Sequence, residues 1–276
     1  MAPDVVLPTV ARAILYLYTI VPRMTLKDRV ALVTGGGKGV GASIALRLAV
    51  EGCRVAVLGR DRESLVTIAR EVDGLVLEAD VTDPVAMAKA LAHLRERMGE
   101  PSIVVQNAGI AESASLAETT DAVWERTMAV NVTAAFRLAR ELVPSMAKLG
   151  WGRLIHVASN AGLTGYAYTS AYCASKHALV GLTRALAAEF ARTQVTVNAV
   201  CPGFVDTDMT ARTVARIVDK TGRSALEAKA VLADLSPQKR LIAVDEVAHV
   251  VAMLCADGAR GINGQAIAID GGQVMR

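Results

Sequence analysis

The sequence predicts an α/β protein: a doubly wound, mostly parallel sheet of about seven strands with helices on both faces. Three observations predict it. Short aliphatic, β-branched runs alternate with helix-period segments from residue 29 onward, the pattern of right-handed βαβ units whose strands are covered on both faces. The first strand-to-helix connection is rich in glycine, Thr34-Gly-Gly-Gly-Lys-Gly-Val-Gly41. Finally, 276 residues with 53% hydrophobic and 21% charged content can bury a large core and are not of disordered composition.

The elements follow in order. Arg29–Thr34 reads as a buried strand, and Ala42–Val50 as the helix after the glycine loop. Gly52 ends that helix before a second strand, Arg54–Leu58; a helix over Arg62–Val72 and a strand over Gly74–Asp80 come next. Asp83 then Pro84 is the cap-then-proline order of a helix start. Ser102–Gln106 is the fourth strand, Asp121–Lys148 one long helix, and Gly152–Ala158 the fifth strand. Ser170–Ala191 is a helix, Val195–Val200 the sixth strand and Gly264–Asp270 the last. Asp206–Lys239 carries many charges and no strand. It falls at the carboxyl edge of the sheet, where open α/β folds bind ligands, and reads as a pair of lid helices.

Composition excludes several functions. Net charge is +3 with acids and bases interspersed, and aromatics are 4% of residues, so there is no basic, aromatic stripe for nucleic acid. Cys53, Cys173, Cys201 and Cys255 form no CxxC pair, and no histidine has ligand spacing to them, so no metal site is expected. Isolated cysteines suit a reducing cytoplasm. Residues 1–23 stand apart as an extension before a single domain over 24–276. Their apolar run Ala13–Val21, between Arg12 and Arg23, falls short of the roughly 20 residues a spanning helix needs, so no stable membrane insertion is expected. It reads as an upstream start before Met24, as an arm packing on the domain or a neighbouring subunit, or as an interfacial anchor.

Two motifs carry chemistry. The glycine loop lets backbone approach a pyrophosphate, and the helix behind it presents free N–H groups and a positive dipole end. Gly37-x-Gly39-x-x-Ala42 fits the dinucleotide spacing. After the second strand the chain reads Leu58-Gly59-Arg60-Asp61. Gly59 stands where an acid would hold the ribose hydroxyl of NAD. Arg60, with Lys38 from the loop, suits the 2′-phosphate of NADP(H), the preferred cofactor. A one-residue shift would bring Asp61 to the ribose, which keeps NAD(H) open. The second motif joins Ser159, at a strand end, with Tyr172 and Lys176, four apart on one helix face. An ammonium beside a phenol is expected to lower its pKa from about 10 and make Tyr172 a proton donor and acceptor. A hydrolase reading of Ser159 with His156 or His177 lacks the G-x-S-x-G elbow.

With these pieces in place, from Leu26 onward the chain resembles the short-chain dehydrogenase/reductase family in its one-domain Rossmann form. The resemblance rests on Thr34-Gly35-x-x-x-Gly39-x-Gly41, Asp80-Val81, Asn107-Ala108-Gly109, Asn131, Ser159, Tyr172-x-x-x-Lys176 and Pro202-Gly203-x-x-x-Thr207. It implies that Gly35, Lys38, Gly39, Val40, Gly41 and Arg60 bind the dinucleotide, and that Asp80 and Val81 bracket its adenine. Asn107, Ala108 and Gly109 would line it. Lys176 would hold the nicotinamide ribose, and Pro202, Gly203, Val205 and Thr207 the carboxamide side. Tyr172 would exchange a proton with the substrate oxygen, Ser159 would polarise that oxygen, and Asn131 would hold a water linking Lys176 to solvent.

For the substrate, Ser159, Asn160, Leu163, Tyr166, Phe204, Met209 and the lid (206–240) suggest a pocket for a medium-sized carbonyl compound. The pattern is similar to reductases of 3-oxoacyl thioesters and polyketide ketoreductases, implying an acyl-CoA or acyl carrier protein substrate. Arg212, Arg216, Lys220 and Arg223 would then meet phosphates, or else form a solvated helix face. Dehydrogenation of a cyclic, steroid-like or aromatic alcohol stays open, as does a non-catalytic dinucleotide sensor or scaffold. The family's two long helices and last strand, here Asp121–Lys148, Ser170–Ala191 and Gly264–Asp270, imply a homotetramer, with a dimer as fallback.

Overall fold

The computed structural model of the protein describes residues 26–275, and the readings of the amino-terminal extension lie outside these. The strands are β1 (Val30–Thr34), β2 (Arg54–Gly59), β3 (Leu75–Glu78), β4 (Ile103–Gln106), β5 (Gly152–Val157), β6 (Val195–Pro202) and β7 (Ala266–Ile269). They form one sheet in the order β3-β2-β1-β4-β5-β6-β7, with every pairing parallel. The winding reverses between β1 and β4, so a crevice opens where their carboxyl ends diverge.

The helices are α1 (Gly39–Val50), α2 (Arg62–Glu71), α3 (Pro84–Met98), α4 (Asp121–Met128), α5 (Ala134–Lys148), α6 (Ser170–Glu189), α7 (Asp208–Thr221), α8 (Ala225–Asp234) and α9 (Val244–Cys255). One sheet face is covered by Ile44 and Leu48 of α1, Leu65 of α2, and Val247 and Val251 of α9. The other is covered by Leu91 and Leu94 of α3 with Leu142 and Met146 of α5. Leu48 and Leu94 are fully buried, a contribution of about 1.5–3 kcal/mol each. Asp83 caps α3 as its sequence position implies, its Oδ1 accepting from the Val85 and Ala86 amides at 2.8 and 3.1 Å.

Two elements differ from expectation. The segment expected as one helix over Asp121–Lys148 is α4 and α5 joined by a π-turn, Ala129–Thr133. A π-turn inserts one extra residue into the i→i−4 ladder. The buried Asn131 sits within it and is hydrogen-bonded to the Ile110 backbone through both side-chain atoms, Oδ1 from its N–H and Nδ2 to its C=O, each at 2.9 Å. The second difference is α9, which lies between the lid and the last strand, where no helix was expected. Its Val247, Ala248, Val251, Ala252, Leu254 and Cys255 are all buried.

At the amino-terminal end of β5, Trp151 is flanked by two guanidinium groups, Arg29 at 3.8 Å and Arg153 at 4.2 Å from the ring centre. Asp257 accepts from Trp151 Nε1 at 2.8 Å and faces Arg153 at 3.3 Å. Arg153 is only 2% exposed; its Nη1 donates to the carbonyls of Gly152 and Gln194, and its Nε is without a partner among the described residues.

Candidate active site

The loop between β1 and α1 is held by β4. Thr34 Oγ1 accepts from the Asn107 and Ala108 amides, each at 3.0 Å, and Asn107 Nδ2 donates to the carbonyls of Thr34 and Gly35 at 3.0 and 3.2 Å. These bonds knit the ends of the two strands that border the crevice. Gly35 and Gly39 have positive φ, 64° and 52°, and a Cβ on Gly41 would collide with the Gly35 carbonyl, so the cradle needs glycine there. The α1 N-cap, Lys38, offers no capping side-chain bond. The first-turn amides are therefore open to an anion, which would also gain the positive end of the helix dipole. Glycine cradle, amides and dipole together fit a pyrophosphate.

The charged residues beyond β2 separate into two pairs. Lys38 binds Asp61 at 2.6 Å, and the Asp61 carboxylate also caps α2 by accepting from the Ser64 amide. Hydrogen bonding to Lys38 holds that carboxyl below its ordinary value. Arg60 has an exposed side chain whose charged partner is Asp80, 3.6 Å away. Burial raises the Asp80 carboxyl, but hydrogen bonds from Thr82 and the charge of Arg60 bring it below the ordinary range overall. Val81 follows Asp80 directly and packs, half-buried, against the core under α3.

Ser159 lies just beyond β5, and Tyr172 and Lys176 lie in the first two turns of α6. Lys176 is buried, donates to the Val157 carbonyl at 3.0 Å, and stands 5.7 Å from the centre of the Tyr172 ring. Asn131 completes the cluster: its Nδ2 also donates to Ser175 Oγ at 3.0 Å, and Ser175 Oγ donates to the Tyr172 carbonyl at 2.7 Å. A Cβ on Gly109 would touch both Asn131 Oδ1 and Lys176 Nζ, at 3.2 and 3.6 Å, so β4 delivers its turn into the same space. Ser175 was not legible as a site residue, since a serine between tyrosine and lysine carries no signal of its own.

The electrostatics correct one expectation. The Tyr172 phenol is not lowered: burial pushes it above its ordinary value, against a hydrogen-bonding pull from Ser159. Burial acts on the ammonium as well, bringing Lys176 down to about 8. With the ammonium anchored on Val157, desolvation of both groups outweighs their mutual effect. Tyr172 is therefore protonated near neutral pH, the form required of a proton donor. Neither histidine joins Ser159. His156 is fully buried and bonded to Thr183 Oγ1 at 2.7 Å, and His177 is exposed and faces the Cys173 carbonyl.

Of the expected substrate residues, Asn160, Tyr166 and the Gly203–Phe204 stretch gather near Asp270 at the end of β7. Leu163 packs on a small core cluster with Leu179 and Val180 of α6. Met209 opens α7, and the Pro202–Thr207 connection leads into it with Val205 bridged to Ile242. Arg216 has a partner within the protein. It reaches across from α7 to bond Ser113, at the carbonyl at 3.0 Å and at Oγ, while Ala114 is bonded to the Tyr168 carbonyl at 2.8 Å.

A parallel sheet with a glycine cradle at its switch point, beside a half-buried tyrosine and a buried lysine and serine, defines an oxidoreductase of the dinucleotide-binding α/β class. The chain matches the family model described as short chain dehydrogenase over residues 29–217. It is 37% identical over 257 residues to the 3-oxoacyl-[acyl-carrier-protein] reductase of Pseudomonas aeruginosa, covering 91% of this chain and 100% of that protein. It is 34% identical to D-beta-hydroxybutyrate dehydrogenase of Rhizobium meliloti, covering 88% and 98%. Among solved structures, a tryptophan variant of actinorhodin polyketide ketoreductase with NADPH superposes with a TM-score of 0.85 at 36% identity, over 89% of this chain and 97% of that one. L-Sorbose reductase from Gluconobacter frateurii, complexed with NADPH and L-sorbose, gives 0.86 at 30%, over 92% and 99%. The protein belongs to the short-chain dehydrogenase/reductase family, enzymes that interconvert a ketone and a secondary alcohol.

Proposed function

We propose that the protein reduces a 3-oxoacyl thioester, carried on coenzyme A or an acyl carrier protein, to its 3-hydroxy form with NADPH. The observation that carries the reading is the half-buried, protonated Tyr172 beside the buried Ser159 and Lys176. The relatives that reduce 3-oxoacyl groups on acyl carrier protein point to the substrate class, and the NADPH complexes of the related structures agree with the exposed Arg60. Asp61 is paired with Lys38 and caps α2, which supports NADPH over NADH.

Gly35 to Gly41, Arg60, Asp80, Val81 and the Asn107–Gly109 turn would hold the nucleotide, with Pro202, Gly203, Val205 and Thr207 on its nicotinamide side. Held there, the nicotinamide would supply hydride for the carbonyl carbon. Tyr172 gives its phenolic proton to the carbonyl oxygen, so the electron pair of the C=O bond ends as an O–H and no alkoxide is released. Ser159 Oγ accepts from the Ala161 amide at 3.1 Å, and its own proton has long contacts, both 3.5 Å, to Asn160 Oδ1 and the Pro202 carbonyl, which a substrate oxygen would replace. Lys176, charged below about pH 8, stabilises the phenolate left behind, and Asn131 would order a water through which the proton is restored. The region 206–240 would close over the substrate as a lid.

The test is reduction of acetoacetyl-CoA with NADPH and NADH in parallel, followed by nicotinamide absorbance. Turnover preferring NADPH is expected. No turnover with either, in protein shown to bind nucleotide, would reject the thioester reading and move the search to cyclic and aromatic ketones. Tyr172→Phe should keep fold and nucleotide affinity and lose about 10²- to 10⁴-fold in kcat; activity within a few-fold of wild type would reject its role. A homotetramer fits the exposed Trp124 and Phe136 on α4 and α5, and a monomer by light scattering would defeat it. No helix among the described residues is long and apolar enough to cross a membrane.

A further inference from the structure

Ser175 lies between Tyr172 and Lys176 on α6 and is fully buried. Its hydroxyl has two partners, each with a fixed role. Asn131 Nδ2 can only donate, and it donates to Ser175 Oγ at 3.0 Å. The Tyr172 carbonyl can only accept, and it accepts from Ser175 Oγ at 2.7 Å. The run from the Asn131 N–H through the Ser175 hydroxyl to the Tyr172 carbonyl therefore has one direction. Only a hydroxyl, donor and acceptor at once, completes it well; a methyl group in its place would leave both neighbours without this bond.

Asn131 depends on this partner. It stands in the π-turn Ala129–Thr133, where the regular helix ladder is interrupted, and its side chain ties that segment to two neighbours. On one side is Ile110, whose N–H donates to Oδ1 and whose carbonyl accepts from Nδ2, each at 2.9 Å. On the other is Ser175, the one residue of α6 hydrogen-bonded to Asn131 among the described residues. The asparagine is 2% exposed, so without Ser175 its second N–H has no solvent to turn to, and an unpaired buried donor is costly. Asn131 Oδ1 and Lys176 Nζ border the same small space: a Cβ on Gly109 would lie 3.2 Å from the first and 3.6 Å from the second. A shift of Asn131 away from α6 would change the surroundings of the lysine ammonium.

We propose that Ser175 is a positioning residue for the reaction: its hydroxyl holds Asn131 against α6 and so sets where the asparagine stands beside Lys176. Ser175 acts through Asn131, because its own hydroxyl is buried and both of its bonds are made within the protein. The inference rests on the role given to Asn131 above, the ordering of a water that restores the proton. It goes beyond that role by naming the group that keeps the asparagine in register with the two turns carrying Tyr172 and Lys176.

A double-mutant cycle tests this, since two residues that act through one contact lose activity non-additively. Ser175→Ala, Asn131→Ala and the double variant are compared with wild type on a ketone that the wild type reduces, with nucleotide Kd measured by fluorescence titration. Ser175→Ala should lower kcat about tenfold in the wild-type background and by less than about twofold where Asn131 is already alanine, with nucleotide Kd unchanged. Ser175→Cys keeps a weak donor and acceptor and should fall between serine and alanine. Wild-type kcat in Ser175→Ala overturns the proposal. So does an equal loss in both backgrounds, which would mean a route that does not pass through Asn131, or a loss of nucleotide affinity, which would assign Ser175 to structure alone. Should the alanine variant not fold, Ser175→Cys takes its place in the cycle and is judged by the same outcomes. Wild-type kcat in Asn131→Ala would instead reject the role of Asn131, and this inference with it.

Discussion

On the proposed function, Arg60 is the residue that selects between the two dinucleotides. Its side chain is three-quarters exposed and Asp80 is its partner at 3.6 Å, a loose surface pair that contributes little to stability and can be exchanged for a phosphate. Arg60→Ala should therefore raise KM for NADPH at least tenfold and that for NADH less than threefold, at the level of about 1.4 kcal/mol per tenfold change. Equal effects on both nucleotides would rule out a 2′-phosphate contact. Asp61 shows what the sequence could and could not reveal. Its closeness to Arg60 was plain, but its engagement by Lys38 and by the first turn of α2 depends on where the glycine loop passes, which only the folded chain decides. Tyr172 is the converse case: spacing alone put it beside Lys176, yet the sign of its pKa shift was set by burial, a property of the whole environment.

Among the elements, α7 shows how the lid region is held. Arg216 on α7 bonds the carbonyl and hydroxyl of Ser113, in the loop that follows β4, so the helix is tied across the mouth of the crevice. Arg216→Ala should free α7: hydrogen exchange of its amides is expected to rise several-fold, and KM for the ketone to rise by about threefold to tenfold, for a lost hydrogen bond with a charged donor. Unchanged exchange in α7 would mean that packing, not the arginine, holds the helix. The strands were legible because parallel, doubly covered strands are nearly continuous in apolar residues. The π-turn at Ala129–Thr133 was not, because nothing in a local pattern distinguishes it from ordinary helix; its cause is the Asn131 side chain bonding to Ile110, a partner on another element. The α9 helix went unread for a related reason. Its apolar residues are interrupted by few polar ones, so its helical period is faint, although Asp245 and Glu246 in its first turn are the acidic signal of a helix start.

For the molecule as a whole, stability should depend on pH through the centre of the sheet. His156, on β5, is fully buried and brought down to about 3, first by burial and then by the charge of Lys176. Thr183 Oγ1 donates to the Leu179 carbonyl at 2.8 Å, so its oxygen accepts a hydrogen bond from His156 Nδ1–H, and burial keeps the ring neutral. In the unfolded chain the same ring titrates near 6.5. The unfolded state thus binds the extra proton first, and stability present above pH 6.5 is lost as pH falls from there toward 3. The loss at pH 5 is about 2 kcal/mol. Denaturant unfolding of His156→Gln should show a flatter dependence between pH 7 and 5 than wild type; parallel curves would place the acid sensitivity elsewhere. This pairing also marks the limit of sequence reading at the largest scale. The order of elements was visible from spacing, but the meeting of β5 with α6 at His156, and of the chain after β7 with Asn160, arises only once the sheet brings distant segments together.

The guanidinium sandwich around Trp151 has a spectroscopic consequence. The protein has two tryptophans, and they sit in opposite surroundings. Trp124 is 44% exposed on α4, whereas Trp151 is clasped between Arg29 and Arg153. Emission from Trp151 reports whether the amino-terminal edge of β5 is intact, and emission from Trp124 reports whether a second subunit covers α4. Two single-tryptophan proteins would therefore separate dissociation from unfolding in one titration, without any added label.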